Sequence, residues 1–263
     1  MSKNLALTNQ TKNLTLTKTK NLMRIANKLI NSKTKELVDD SWMERLWEWA
    51  DENEIAEDEI PRNKEELLEL TLINLCISGL TEFPKEIGNL INSTKLNLFF
   101  NNLTELPKEI GNLINLTSLT LGNNNLTEFP KEILNLTNLT KLNLDGNNLT
   151  KLPKEIGNLI NLTELSLDRI SLTEFPKEIL NLTNLTKLNL DCNNLTKLPK
   201  EIGNLINLTE FSLHDNNLTE LPKEIVNFTN FTDLYLAGNN LTLTQSQKQW
   251  IDKLEENGCD VEY

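Results

Sequence analysis

The segment 103–125, LTELPKEIGNLINLTSLTLGNNN, decides the fold, because close copies of it follow one another without a gap. Units of 23 residues fill 80–240 and begin at Leu80, Leu103, Leu126, Leu149, Leu172, Leu195 and Leu218. A fixed period of this length is typical of a solenoid, in which each coil buries its apolar side chains against its neighbours. The sequence therefore predicts one continuous array of coils.

Each coil is predicted to contribute one short strand to a parallel sheet. In SLTLG at 118–122, alternation sends Leu119 and Leu121 into the core and leaves Ser118 and Thr120 pointing away from it. Parallel sheets are normally covered on both faces, yet these outward positions are largely polar. We therefore predict eight strands, one from 72–76 and one from each complete unit, with a concave face open to water or a partner.

An Asn pair follows most of these strands, and its first member is suited to holding neighbouring coils together. Asn tolerates turn dihedral angles and offers both a donor and an acceptor. The pairs lie at 101/102, 124/125, 147/148, 193/194, 216/217 and 239/240. The coil 149–171 carries Arg169, Ile170 and Ser171 instead, so the ladder is interrupted there, with a local bend or a specific contact at Arg169 as the alternatives.

Both ends of the array need caps, and helices are predicted at both. At the N-terminal end, 41–55 places Trp42, Leu46 and Trp49 on one helical face, and Pro61 is predicted to begin a second helix. The four tryptophans all fall in the two caps, where sealing a core is their commonest role.

The C-terminal cap is predicted from 246–258, SQKQWIDKLEENG. Ser246 and Gln249 have the spacing of a capping box, and Gly258 is predicted to end the helix. The apolar face of this helix consists of Trp250, Ile251 and Leu254.

Composition limits the partners. The 263 residues carry a formal net charge of −12, which repels phosphate backbones and anionic lipid headgroups. We therefore expect no nucleic acid and no membrane, and a protein partner that is neutral or basic. The charge is uneven, because 1–35 hold eight Lys or Arg and no acid, whereas 36–70 hold fourteen acids and three bases.

Four segments are predicted. They are a basic arm that is poorly ordered or partly helical (1–35), a helical N-terminal cap with the first strand (36–79), seven repeats (80–240) and a helical C-terminal cap (241–263). The sequence shows neither a secretory signal nor a run long enough for a membrane helix. The three cysteines form no CxxC pair. We therefore expect a cytoplasmic monomer with reduced thiols.

The units resemble the 23-residue LxxLPxxIxxLxxLxxLxLxxN class of leucine-rich repeats, which occurs in bacterial proteins and in relatives of Ras-pathway scaffolds. The flanks WEWADENEIAEDEIPRNKEELLELTLINL (47–75) and QKQWIDKLEENGCDVEY (247–263) are similar to the ends of bacterial leucine-rich-repeat proteins. The resemblance implies an α/β fold, a right-handed horseshoe solenoid with a parallel concave sheet and helical caps. It also implies protein binding without catalysis.

The concave face is the predicted binding surface. Its candidate residues are Lys95, Asn97, Phe99, Phe100, Lys141, Asp145, Glu164, Asp168, Arg169, Asp191, His214, Asp215 and Tyr235. At its N-terminal end an apolar patch is predicted, which either forms a contact site or is covered by the cap; it consists of Leu72, Cys76, Ile77, Phe99 and Phe100.

In the middle of this face, Asp145, Asp168 and Asp191 occupy equivalent positions in adjacent coils, about 5 Å apart by strand spacing. The alternatives for these acids are a solvated stripe, a site for a basic protein and a cation site. The nearby Lys141 and Lys187 weaken the argument for a ligand.

No catalytic, cofactor or metal residues are predicted. His214, the only histidine, lies beside Asp215, but Cys192 is one coil away without an orienting group. The chain has no glycine-rich phosphate loop, HExxH or GxSxG. We therefore expect a non-catalytic protein-binding module or scaffold. The alternative is a bacterial effector that is exported without a classical signal and binds a host protein, suggested by the polar, Thr/Asn-rich residues 1–35.

Overall fold

The computed structural model describes residues 39–263, and the chain divides into two compact units, 1–44 and 45–263. The predicted basic arm at 1–35 lies outside the described residues. The solenoid lies within the second unit.

Among residues 39–263, nine three-residue strands form one parallel sheet in chain order. They are β1 Leu72–Asn74, β2 Lys95–Asn97, β3 Ser118–Thr120, β4 Lys141–Asn143, β5 Glu164–Ser166, β6 Lys187–Asn189, β7 Glu210–Ser212, β8 Asp233–Tyr235 and β9 Asp260–Glu262. In β1 to β8 the middle residue is buried, as the alternation of the repeat predicts. The predicted horseshoe solenoid with a parallel concave sheet is confirmed.

The ninth strand was not predicted, and the expectation of eight strands is wrong. Strand β9 adds to the edge of the sheet by pairing Asp233 with Asp260 and Tyr235 with Glu262. It lies outside the 23-residue period, and its only inward side chain is Val261, so the sequence gives no alternation long enough to indicate a strand.

The return path of each coil contains a short 3₁₀ helix on the convex side. These helices span Lys85–Asn89, Lys108–Asn112, Lys131–Asn135, Lys154–Asn158, Lys177–Asn181, Lys200–Asn204 and Lys223–Asn227. A proline precedes each one in extended conformation, and the central isoleucine is buried.

The buried asparagines hold successive coils together as predicted. The Asn147 Oδ1 accepts a hydrogen bond from the Leu126 amide at 3.0 Å, and its Nδ2 donates to the carbonyls of Leu121 at 3.0 Å and Leu144 at 2.9 Å. The equivalent bonds recur at Asn101, Asn124, Asn193, Asn216 and Asn239. Each asparagine therefore satisfies backbone groups that the turn would otherwise leave buried and unpaired.

The ladder is broken at one junction, between the coils of β4 and β5. Ile170 replaces the asparagine and is fully buried. The Leu149 amide has no side-chain acceptor there, and the amide of Ser171 makes no bond to Leu149, although Asn148 and Asn194 make the equivalent bonds to Leu126 and Leu172. We call this junction the seam.

Two further ladders connect the coils, and neither was predicted. One consists of asparagine side chains that donate to a carbonyl 24 residues earlier, at Asn92, Asn115, Asn138, Asn161, Asn184 and Asn207. The other consists of threonine hydroxyls that donate to a carbonyl 23 residues earlier, at Thr94, Thr117, Thr140, Thr163, Thr186, Thr209 and Thr232. Recurrence of these residue types at the 23-residue period is the signal that indicates both ladders.

The N-terminal cap contains α1 (Ser41–Glu52) and α2 (Lys64–Leu68). In α1, Leu46 and Trp49 are buried, whereas Trp42 is half-buried. The prediction that Pro61 begins a helix is wrong. Helix α2 begins at Lys64 because the Asn63 side chain caps it, accepting a hydrogen bond from the Glu66 amide at 2.9 Å.

The C-terminal cap contains α3 (Gln245–Glu256), which leads into β9. The capping box is Thr244 with Gln247, not the predicted Ser246 with Gln249. Gln247 is buried and donates a hydrogen bond to the Leu221 carbonyl at 2.9 Å. The capping-box residue therefore also links the helix to the last complete repeat. The predicted apolar face is buried, at Trp250, Ile251 and Leu254.

Candidate functional site

The concave face is built from four rows of residues, each repeating once per coil. The first row contains the first residue of each strand: Leu72, Lys95, Ser118, Lys141, Glu164, Lys187, Glu210, Asp233 and Asp260. The second row contains the third residue: Asn74, Asn97, Thr120, Asn143, Ser166, Asn189, Ser212, Tyr235 and Glu262. The third row lies two residues beyond the strand: Cys76, Phe99, Gly122, Asp145, Asp168, Asp191, His214 and Ala237.

The fourth row immediately follows the third, and its backbone is left-handed in every coil. The φ angles lie between 50° and 71° at Ile77, Phe100, Asn123, Gly146, Arg169, Cys192, Asp215 and Gly238. Glycine and asparagine adopt this conformation readily, whereas a bulky or β-branched side chain is strained in it. All thirteen predicted site residues fall in these four rows.

The middle of the first row is electrically paired within the chain. The Nζ of Lys141 lies 2.7 Å from the Oε1 of Glu164, and that of Lys187 lies 2.5 Å from the Oε1 of Glu210. These ion pairs are partly exposed, so each contributes at most about 1 kcal/mol to stability. As a result, the first row carries no net charge from β4 to β7.

The central aspartates bind the next coil as well as facing solvent. The Asp145 Oδ1 accepts a hydrogen bond from the Asp168 amide at 2.8 Å. The Asp191 Oδ1 accepts from the Ser212 hydroxyl at 2.5 Å and from the His214 amide at 2.7 Å. Two of the three carboxylates therefore have structural partners, which the sequence interpretation of an acidic stripe did not include.

Asp168 differs from the other two aspartates because one of its oxygens lacks a partner. Its Oδ2 accepts a hydrogen bond from the Arg169 guanidinium at 2.7 Å, while its Oδ1 is buried without a hydrogen-bond partner. Burial raises the pKa of Asp168, and the positive charge of Arg169 opposes that rise only in part. Of the two alternatives for Arg169, the structure therefore shows a specific contact, an ion pair with Asp168.

Replacing Asp168 with asparagine is expected to raise the thermal unfolding midpoint at pH 7, because the isosteric amide removes a charge that burial disfavours. The pKa of Asp168 is raised in the folded chain, so its ionisation lowers stability as the pH rises through that pKa. The gap between variant and wild type therefore narrows on acidification and closes below pH 3.8, the ordinary pKa of the group.

Thermal unfolding followed by circular dichroism between pH 3 and pH 7 measures this gap. The matched control is Asp252→Asn, a change of the same kind at an exposed position on α3, which is expected to leave the midpoint unchanged. A lower midpoint for Asp168→Asn than for wild type at pH 7 contradicts the prediction.

The chemistry at His214 is limited. Its Nε2 lies 3.2 Å from the Oδ2 of Asp215, and the Sγ of Cys192 lies 4.0 Å from that same oxygen. Burial and the charge of Asp168 raise the pKa of the Cys192 thiol, which keeps it protonated and weakly nucleophilic at neutral pH. Within residues 39–263 no group of three or more His, Cys, Asp or Glu side chains is arranged to hold a metal ion.

The N-terminal end of the face carries the predicted apolar patch. The exposed fractions are 50% for Leu72, 70% for Ile77 and 58% for Phe100. The rings of Phe99 and Phe100 contact each other with centroids 6.2 Å apart. Of the two alternatives for this patch, the described part of the cap leaves it accessible.

The C-terminal end of the face is acidic, and two of its acids, Asp260 and Glu262, were not predicted from the sequence. The Tyr235 hydroxyl lies 3.2 Å from the Oδ1 of Asp233 and 3.1 Å from the Oδ2 of Asp260. Burial and these two carboxylates raise the pKa of Tyr235 to about 12. Asp260 and Glu262 join the face only because β9 adds to the sheet, so the missed strand explains the missed residues.

Between the two ends, the concave surface forms a shallow depression of about 450 Å³ across β3 to β8. Its floor includes the polar side chains of Asn143, Ser166, Asn189 and Ser212, with Tyr235 at one side. Side-chain amides and hydroxyls on an open floor can donate to and accept from a peptide backbone. The arrangement is that of an open solenoid with an accessible inner surface.

Comparisons with known proteins agree with an open repeat solenoid. A profile described as a leucine-rich repeat region matches residues 67–197, and a second leucine-rich repeat profile matches residues 183–241. A search of curated proteins gave no significant match. The chain belongs to the leucine-rich-repeat proteins, and its repeats are of the 23-residue type found in bacterial members.

Several solved structures are similar to the chain. A leucine-rich-repeat protein of Leptospira interrogans shares 38% identity, with a TM-score of 0.65, over 75% of this chain and 55% of that one. Internalin C2 of Listeria monocytogenes, at 22% identity and a TM-score of 0.66 over 74% and 86%, shows the fold alone. The Arabidopsis receptor kinase HAESA, solved with the peptide hormone IDA and the co-receptor SERK1, shares 28% identity with a TM-score of 0.64 over 74% and 33%.

The chain spans just over half the length of the Leptospira structure. Leucine-rich-repeat solenoids are typically protein-binding modules that present an extended concave surface. None of the helices in 39–263 has the length and apolarity needed to span a bilayer.

Proposed function

We propose that this chain is a non-catalytic module that binds a segment of another protein along its concave face. The observation that carries the proposal is the open inner surface of the sheet, a depression that presents polar side chains and has accessible side chains at both of its ends. Parallel sheets usually have both faces covered, so a face that is open to solvent leaves a surface that a partner can cover. HAESA, which is similar in fold and was solved in complex with a peptide hormone, supports a peptide-like partner.

The chemistry of the face also favours binding over catalysis. A raised thiol pKa at Cys192 and a histidine whose close partner is a carboxylate do not form an activated nucleophile. The polar floor instead provides hydrogen-bonding groups at the spacing of adjacent strands, which suits an extended chain lying across them. We therefore propose a binding function without a catalytic reaction.

The test uses a random 16-residue peptide library displayed on phage, with the full chain as bait. We expect enrichment of binding peptides that is lost in the double variant Ser166→Arg and Asn189→Arg, which fills the floor of the depression. The matched control is Thr137→Arg with Thr183→Arg, which adds the same charge at exposed positions outside the depression. Equal enrichment on wild type and the floor variant would sink the proposal.

Other expectations stay predictions. The cytoplasmic location, the monomeric state and the scaffold role concern the whole protein. The alternative of an exported effector depends on residues 1–35, which lie outside the described part of the chain.

A further inference from the structure

We infer that the segment bound by the concave face is extended and two-ended, with apolar side chains against β1 and β2 and basic side chains against β8 and β9. This inference rests on the proposed function. It adds the chemistry of the partner segment and which of its ends lies over which strands. Two separate observations support it, one at each end of the sheet.

At the first end, large apolar side chains are exposed together. Leu72, Ile77 and Phe100 are each at least half exposed, and Ile77 and Phe100 occupy successive coils of the fourth row. Ile77 and Phe100 border a hollow of about 230 Å³ whose lining also includes Asn123. Exposed apolar groups that cluster in this way mark a surface that another molecule covers.

Backbone conformation strengthens the case for a role of Ile77 and Phe100. Their φ angles are 58° and 57°, in the left-handed region that is unfavourable for side chains of this kind. Three of the six equivalent positions in the other coils are Asn123, Gly146 and Gly238, which tolerate that region. Folding alone would thus be served better by asparagine or glycine, so the exposed apolar side chains are unfavourable for stability on two counts.

At the second end, the acids have no basic partner within the described part of the chain. Among residues 39–263, Asp233, Asp260 and Glu262 form no ion pair within 4.0 Å, whereas the acids of β5 and β7 are paired with lysines. Asp260 and Glu262 are exposed, on the same side of the sheet as Asp233 and Tyr235. Asp145 and Asp191 of the third row also form no ion pair among the described residues, but each accepts a backbone hydrogen bond from the next coil. In the first two rows, unpaired negative charge therefore lies at β8 and β9, where it favours a basic partner.

A lysine at the apolar end of the face determines which end of the segment lies there. Lys95 is exposed in β2, beside the apolar patch, and forms no ion pair among the described residues. A basic segment placed over β2 would be repelled by this lysine, and an apolar group placed over β9 would desolvate three carboxylates. Both misplacements are unfavourable, so the apolar end of the segment lies over β1 and β2 and its basic end over β8 and β9, whichever way its chain runs.

The spacing of the ends sets the length of the segment. Six strand intervals of about 4.8 Å separate β2 from β8, a distance of roughly 29 Å. An extended chain rises about 3.3 Å per residue, so about nine residues span this distance. A second copy of this chain fits poorly as the occupant, because the net charge of −12 makes two copies repel each other.

The peptide library selected on the full chain also tests this inference. We expect the enriched peptides to contain apolar residues and Lys or Arg residues separated by about nine positions, in one or the other chain direction. Binding of a synthetic enriched peptide is then measured by fluorescence anisotropy at several salt concentrations. Enriched peptides without this spacing would overturn the inference.

Variants at each end complete the test. Phe100→Asn is expected to weaken binding of the enriched peptide at least about tenfold without lowering the thermal midpoint. Asp260→Asn with Glu262→Gln is expected to weaken binding about threefold and to flatten its salt dependence. The matched controls, Ile114→Asn and Glu255→Gln with Glu256→Gln, change exposed residues outside the face and are expected to bind as wild type.

The two proposals fail separately. Suppose that the floor variant abolishes peptide binding, whereas the variants at both ends bind as wild type. The concave face is then a binding surface, and the inference of a two-ended partner is wrong. If the floor variant also binds normally, the proposed function itself falls.

Discussion

Replacing Asn147 with alanine is expected to lower the free energy of unfolding by about 3–4 kcal/mol. The side chain is 3% exposed, and its loss leaves the Leu126 amide and the Leu144 carbonyl buried without a partner. The Leu121 carbonyl also loses this donor but still accepts a hydrogen bond from Asn124 at 3.0 Å. Each buried backbone group that loses its partner costs about 1–3 kcal/mol. Because coils are stabilised mainly by their neighbours, we expect the cooperativity of unfolding to fall as well.

Urea unfolding followed by far-ultraviolet circular dichroism measures both effects. The matched control is Asn148→Ala in the same pair. Asn148 is exposed, and only its backbone amide bonds to the neighbouring coil, so alanine preserves that contact. We expect its unfolding midpoint to stay close to that of wild type. If the two variants were equally stable, the ladder would not be a main source of cohesion between coils.

Replacing Trp250 with alanine is expected to be of similar severity, at about 3–5 kcal/mol. Its indole is buried, packs edge-on against Phe231 at 6.4 Å, and donates a hydrogen bond from Nε1 to the Phe228 carbonyl at 2.7 Å. The loss opens a cavity beneath α3 and removes a contact between the cap and the last repeat. Strand β9 follows this helix, so the acidic end of the concave face is expected to loosen with it.

Hydrogen exchange resolves this local effect. In Trp250→Ala, faster exchange is expected for the Asp260 amide, which bonds to the Thr232 carbonyl at 2.8 Å, than for amides of the central coils. The control Lys248→Ala removes an exposed side chain from the same helix and is expected to exchange like wild type. Uniform loss of protection over all coils would contradict a cap that unfolds by itself.

The 23-residue period predicts most of the fold because each coil repeats the same physical problem. The inward leucines, the strand positions and the buried Asn147 follow from alternation and from the need to satisfy backbone groups in the turn. Strand β9 and the Thr244 cap lie outside the period. A three-residue edge strand with one inward valine depends on the neighbouring strand β8, which no local pattern of the sequence reveals.

The candidate site was predictable in its positions but less so in its interactions. Alternation places Lys141 and Asp145 on the concave face, but it does not show that Lys141 pairs with Glu164 or that Asp145 accepts the Asp168 amide. Those contacts depend on side-chain conformations across adjacent strands. Asp260 was missed because the strand that carries it was missed, so the acidic end became visible only in three dimensions.

The seam has a mechanical consequence. Where Ile170 interrupts the asparagine ladder, the fully packed core remains, but the directional bonds that resist sliding of one coil over the next are fewer. If the two ends of the array were drawn apart, we expect rupture to begin at this junction and to release the coils on either side as separate blocks. A chain tethered at both ends would therefore have a built-in point of failure near its middle, away from either cap.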